Sequence, residues 1–161
     1  MNSEFDPSRH QLAQSRYFED FEVGERFVIP SRTMAASHFL AFQAASGDNH
    51  PIHYDREYCK RLGYKDLLAH GYQVLIQTAA GAGMFPHVAD ASLIGFIEQS
   101  SRFLAPVVAG DTLYPALTVK ALKPQRTTGV LTMASTVHNQ DRVLVMAGEQ
   151  SYLLRRRTPA A

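Results

Sequence analysis

The chain of 161 residues contains a single cysteine, Cys59, so it cannot close an intrachain disulfide. This absence excludes a disulfide-stapled scaffold and points to a reducing compartment. Net charge is also scarce, since 16 Lys and Arg against 15 Asp and Glu leave only +1. A dedicated nucleic-acid surface would carry a strong basic excess. The basic run Arg155-Arg156-Arg157 reads as the solvated end of a last strand. No apolar stretch is long enough to span a bilayer, and residues 1–15 lack the apolar core of a secretory signal. Internal repeats and linker-like segments are missing too. The expectation is a single-domain, soluble, cytoplasmic protein with no nucleic-acid or membrane partner. Residues 1–15 are expected to form a flexible arm, 16–157 one domain, and 158–161 a short tail.

What remains is an ordinary globular composition, 45% hydrophobic and 19% charged, long enough to bury a sizeable core. A turn at Val23-Gly24-Glu25 leads into an apolar strand, Arg26 to Ile29, which Pro30 stops. Ser37 to Ala45 reads as a helix with Ser37 as N-cap, a buried stripe of Phe39, Leu40 and Phe42, and Gly47 at its end. A shorter helix spans Glu57 to Leu62, and Gly63 suits the position that closes it. Tyr72 to Met84 is apolar nearly all round, which predicts one helix buried on most faces. Gly81 and Gly83 would be tolerated there if another backbone packs close. Ser92 to Gln99, Thr112 to Leu122, Gly129 to His138 and Val143 to Leu154 are β-branched or aromatic runs. Pro106, Gly110-Asp111, Pro124 and a hairpin turn at Asn139-Gln140-Asp141 separate them. The fold class is therefore α+β, an antiparallel curved sheet wrapped around a long central helix. Such a sheet leaves edges uncovered, which predicts pairing with a second copy.

The most chemically suggestive run is S-G-D-N-H-P-I-H-Y-D, residues 46–55. It sets a carboxylate, Asp48, and an imidazole, His53, on a proline-stiffened segment after a helix. Together these groups can move the protons needed to add or remove water. Taken alone, Asp48 could be a turn residue and His53 a partner for a loop carbonyl. His50 and His53 with Asp48 and Asp55 invite a metal reading, but no third ligand sits at a recognisable spacing, so no metal is expected. Cys59 is read as a packing residue, His70 as structural support for the following helix, and Asp111 as a turn residue. Tyr54, Tyr72, Gln73 and Gln77 offer hydroxyl and amide groups that would suit a polar substrate better than a long alkyl chain. Arg102, Lys120, Lys123 and Arg126 are the basic candidates for an anionic part of a substrate.

The run G-D-N-H-P-I-H-Y-D, with A-H-G at 69–71 and R-F-L-A-P-V-V-A-G-D-T-L at 102–113, resembles the MaoC-like dehydratases. These are the (R)-specific enoyl-CoA hydratases of the hot-dog superfamily. The resemblance covers roughly residues 17–155 and implies a hot-dog fold paired as a homodimer or a dimer of dimers. It implies an acyl-CoA thioester as partner, water added to a trans-2-enoyl-CoA, and no metal or organic cofactor. Asp48 and His53 match the family's catalytic pair. Gly71 matches the glycine whose N–H binds the thioester oxygen, a donor best placed at a helix N-terminus. Tyr54, Tyr72 and His50 are assigned to the substrate. His50 is also a departure, because the family has Asn two residues after the Asp, whereas this chain carries its Asn at position 49.

Two other functions share the scaffold. A hot-dog thioesterase would usually carry an acidic residue on or near the central helix, and Tyr72 to Met84 has none. A non-catalytic acyl-CoA-binding subunit would bind tightly without turnover.

Overall fold

The computed structural model describes residues 6–157, so the expected tail over 158–161 and the first five residues of the expected arm lie outside the described residues. Pro7–Arg9 form an exposed 3-10 turn capped by the Asp6 side chain. The chain joins the body at Arg16, whose N–H donates to the Val88 carbonyl at 2.7 Å.

Six strands make the sheet: β1 (Arg26–Val28), β2 (Arg32–Thr33), β3 (Leu93–Phe103), β4 (Thr112–Pro124), β5 (Thr128–His138) and β6 (Leu144–Arg155). All pairings are antiparallel. The order is β1-β4-β5-β6-β3, with the short β2 also on β4. The alternation that marks β5 in the sequence survives as burial of Leu131, Met133, Ser135 and Val137 on one face. The predicted hairpin turn holds because Asn139 Oδ1 accepts from the N–H groups of Asp141 and Val143, both at 3.0 Å. Gly110, with φ +95°, and Asp111 make the expected tight turn, where Asp111 Oδ2 accepts from Val108 N–H.

The described residues form four α-helices: α1 (Ala36–Ser46), α2 (Arg56–Arg61), α3 (Gly71–Leu75) and α4 (Phe85–Ala89). The start of α1 is closed by His38 Nδ1, which accepts from Ala35 N–H, and not by Ser37. Of its expected stripe only Phe39 is buried, while Leu40 is exposed. Its end is as expected, with Gly47 in the left-handed region at φ +70°.

The long central helix expected over Tyr72–Met84 is instead a chain of short turns. After α3 come 3-10 turns at Ile76–Thr78 and Ala80–Ala82, with Ala79 out of helical geometry at ψ 118°. Two causes act together. Gly81 and Gly83 weaken the helix, and the Gln150 amide from β6 takes the Thr78 carbonyl, which a continuous helix would offer to Ala82. Gly83 does meet another backbone: a Cβ there would lie 3.1 Å from the Val28 carbonyl oxygen. Nor is the segment buried on most faces, since Tyr72, Ile76 and Met84 are exposed.

The core has two apolar clusters. One contains Phe18, Phe27, Phe85, Leu117, Met133 and Tyr152, the other Met34, Phe39, Val74, Leu113, Val137 and Met146. Gln73, Gln77, Thr78, Ser135 and Gln150 are buried polar residues that fall between cluster members along α3, the 3-10 turn after it, β5 and β6. Among the described residues, no helix is long and apolar enough to cross a membrane.

Candidate active site

Local sequence chemistry aims each side chain of the site. Gly47 ends α1 and turns the chain, so that Asp48 N–H donates to Ser46 Oγ at 3.2 Å and Asp48 Oδ1 accepts from His50 N–H at 3.1 Å. His50 then caps the 3-10 turn Pro51–His53, its Nδ1 accepting from Ile52 N–H at 3.3 Å. An Asn side chain could supply the same acceptor. Two bonds tie this turn to the segment before α3. Leu68 N–H donates to the Ile52 carbonyl at 3.0 Å, and the Leu68 carbonyl meets His53 Nδ1 at 2.6 Å.

That second bond sets the tautomer of His53. A carbonyl can only accept, so Nδ1 carries the proton and Nε2 keeps its lone pair. Burial of the ring holds its pKa below the ordinary histidine value, and neighbouring His70 adds to this against the pull of the Leu68 carbonyl. Asp48 is held below the usual carboxylate range, first by the His50 N–H and then by His70 and His53. At neutral pH the pair is a carboxylate beside a neutral imidazole with a free Nε2.

His70 stands at the centre of the site. Its ring stacks on His53 with centroids 3.5 Å apart and planes 21° apart. Its Nε2 lies 3.6 Å from Asp48 Oδ2 and 3.2 Å from the Tyr54 hydroxyl, and its Nδ1 lies 3.3 Å from Gln73 Oε1. Only 4% of the residue is exposed. His70, expected as structural support for the following helix, also lines the pocket beside Asp48 and His53.

A pocket of about 490 Å³ brings together Asp48, His53, His70, Gly71, Tyr72 and Phe103. Gly71 is the first residue of α3, where an N–H has no intrahelical acceptor. A Cβ on Gly71 would come within 3.0 Å of the Phe103 ring, so the absence of a side chain lets that ring pack against the backbone here. Tyr72 lines the pocket and Tyr54 reaches it through His70, whereas His50 caps the neighbouring turn and packs edge-on against Tyr58. Arg102 precedes the pocket residue Phe103 on β3. Lys120 is paired with Glu149. The sheet register sets Lys123 opposite Val130, at the far end of β4 from the site. Donor atoms of Asp48, His53 and His70 lie within 4.8 Å of one another and could in principle hold a cation. The near-parallel imidazoles, however, direct their in-plane lone pairs side by side and not toward one point.

An antiparallel sheet closed on one face by a segmented helix, with an Asp/His pocket at the first turn of that helix, defines an α+β hot-dog domain. Residues 20–140 match the MaoC like domain model, and the chain belongs to that family. It is 31% identical to the (R)-specific enoyl-CoA hydratase of Rhodospirillum rubrum over 68% of this chain and 74% of the relative. It is 29% identical to the 3-hydroxybutyryl-CoA dehydratase of Methylorubrum extorquens over 83% of this chain and 80% of that protein. Protein MaoC of Klebsiella aerogenes is 32% identical over 69% of the chain, and the match spans only 33% of its own length. Among solved structures, R-hydratase PhaJ1 from Pseudomonas aeruginosa superposes with a TM-score of 0.74 at 26% identity, covering 92% of this chain and 93% of that one.

Proposed function

We propose that the protein adds water to trans-2-enoyl-CoA thioesters to give (R)-3-hydroxyacyl-CoA, or runs the reverse dehydration, without a metal or organic cofactor. The observation that carries this reading is one pocket holding Asp48, the neutral His53 and the first residue of α3, Gly71. The names of the relatives support it.

In the hydration direction a water sits between Asp48 and His53 Nε2. His53 takes one proton as the oxygen attacks the β-carbon, and charge moves onto the thioester oxygen. Gly71 N–H, which has no intrahelical acceptor, stabilises that oxygen. The imidazolium then delivers its proton to the α-carbon, so the product gains OH at one carbon and H at the other. Asp48 stays ionised and stabilises the transient imidazolium. His70, stacked on His53 and within 3.6 Å of Asp48, holds the two in register. The assay is loss of enoyl-thioester absorbance with crotonyl-CoA, and silence across a panel of enoyl-CoA esters would overturn the reading.

The pH profile tests the assigned base. His53 titrates below the ordinary value of 6.5, and it must be neutral to take a proton. The acid limb of kcat/KM therefore falls below pH 6.5, and activity is lost only as pH drops through that lowered value. A limb centred above it would assign the base elsewhere.

The acting unit is a homodimer. β3 lies at the edge of the sheet, and Ile94, Phe96, Ile97 and Phe103 on it are each about half exposed, beside exposed Tyr72 and Ile76. An apolar, unpaired edge of this length is a liability unless covered. Sedimentation should give twice the 17.9 kDa chain mass or a multiple of it. Ile97→Glu should shift the population toward monomer, and a monomeric wild-type chain would refute the assignment.

A further inference from the structure

Gln73, on α3, is a buried polar residue one contact away from the catalytic pair, with only 1% of its surface exposed. Its backbone carbonyl accepts from Gln77 Nε2 at 3.0 Å. Its side-chain amide meets His70 Nδ1, which lies 3.3 Å from Oε1. With that end toward the ring, Gln73 Nε2 is buried and has no hydrogen-bond partner among the described residues. His70 itself is held by His53 and Phe42, with ring centroids 3.5 and 4.7 Å away. The partners in its plane therefore decide which nitrogen of the neutral ring carries the proton.

The two ends of an amide have nearly the same shape, so hydrogen bonding decides which of them faces the ring. An oxygen there can only accept, and it would keep the proton on Nδ1. His70 Nε2 would then turn a bare lone pair toward Asp48 Oδ2, 3.6 Å away. Both amide hydrogens of Gln73 would stay buried and unpaired. Turned over, the amide donates one of them to His70 Nδ1. The ring proton then sits on Nε2, where Asp48 Oδ2 and the Tyr54 hydroxyl oxygen, 3.2 Å away, are both acceptors. This orientation leaves one amide hydrogen and the amide oxygen unpaired. An underused carbonyl oxygen is a lesser cost than an orphaned N–H, and the lone pair facing a carboxylate is gone.

We infer that Gln73 is a positioning residue of the site: its amide N–H donates to His70 Nδ1, and His70 thereby presents an N–H, not a lone pair, to Asp48 and Tyr54. The two oxygens of Asp48 are then aimed by different donors, Oδ1 by the His50 N–H at 3.1 Å and Oδ2 by the His70 N–H facing it. Each keeps lone pairs for the water. The carboxylate is oriented from the buried segment as well as from its own turn. The kinetic consequence rests on the hydratase reading, whereas the protonation pattern does not.

Nitrogen-15 NMR of the uniformly labelled full chain reads that pattern without turnover, with His70 assigned through its own backbone. The expected result at neutral pH is a protonated Nε2 and a bare Nδ1. A proton on Nδ1, alone or together with Nε2, overturns the inference. Gln73→Glu gives a second reading, because an ionised carboxylate at this position can only accept. It should place a proton on His70 Nδ1 and lower kcat for crotonyl-CoA about tenfold, the worth of one charge-assisted hydrogen bond, with KM nearly unchanged. Wild-type kcat in that variant would overturn the positioning role. If Gln73→Glu does not fold, the wild-type spectrum decides alone. If the wild-type protein turns over neither crotonyl-CoA nor a wider enoyl-CoA panel, the hydratase reading falls while the spectrum still judges Gln73.

Discussion

Asp48→Asn and His53→Asn each lower kcat for crotonyl-CoA hydration by about 10²–10⁴-fold while leaving the thermal transition near that of the parent protein. The choice of Asn is deliberate in both cases. At position 48 it retains an oxygen for the His50 N–H, a contact made at 3.1 Å, and removes only the charge. At position 53 its amide can still donate to the Leu68 carbonyl, the contact His53 makes through Nδ1, and what disappears is the basic Nε2. Both residues handle the same water, so the double variant should be little worse than either single one. Additive losses would mean separate roles. Turnover within a few-fold of wild type in both would remove the mechanism.

The site was half legible in the sequence because half of it is local. Asp48, the Pro51 turn and His53 lie within six residues, and short-range hydrogen bonds fix their directions. The carbonyl that sets the tautomer of His53 comes from Leu68, fifteen residues on, and nothing in residues 46–55 announces it. The setting of His70 is hidden for a related reason. Its stacking on His53 depends on the segment before it, where Leu68 bonds to the Ile52 carbonyl while Ala69 N–H donates to the Val107 carbonyl and Ala109 N–H to the Leu67 carbonyl. A single histidine before a helix carries no trace of that in its neighbours.

The same distinction governs the fold. The strands after residue 92 show in composition because β-branched alternation is written into each strand, and the observed β4, β5 and β6 lie close to the expected runs. The central helix fails because the decisive contact is remote. Residues 72–84 are small and apolar enough for one helix, yet Gln150, seventy-two residues away, takes the Thr78 carbonyl that the helix needs. One amide thus breaks a helix, and the break leaves a sequence trace only in the two glycines.

Gly148→Ala should cost about 3 kcal/mol of stability, a fall of roughly 6–12 °C in Tm, and weaken activity with it. Gly148 lies on β6 opposite Ser101 of β3. An added Cβ would sit 2.1 Å from the Ser100 carbonyl oxygen and 2.9 Å from Ser101 Cα. Both obstacles are backbone, so no side-chain rotation relieves them, and the strands themselves must part. The strand that moves is β3, which carries Phe103 of the Asp48/His53 pocket. Gly95→Ala is the control, on the same strand but with nothing within 4 Å of the added carbon. It should stay within about 0.5 kcal/mol of wild type. Equal melting temperatures for the two variants would show that close β3–β6 contact at Gly148 is not what holds this wall of the site in place.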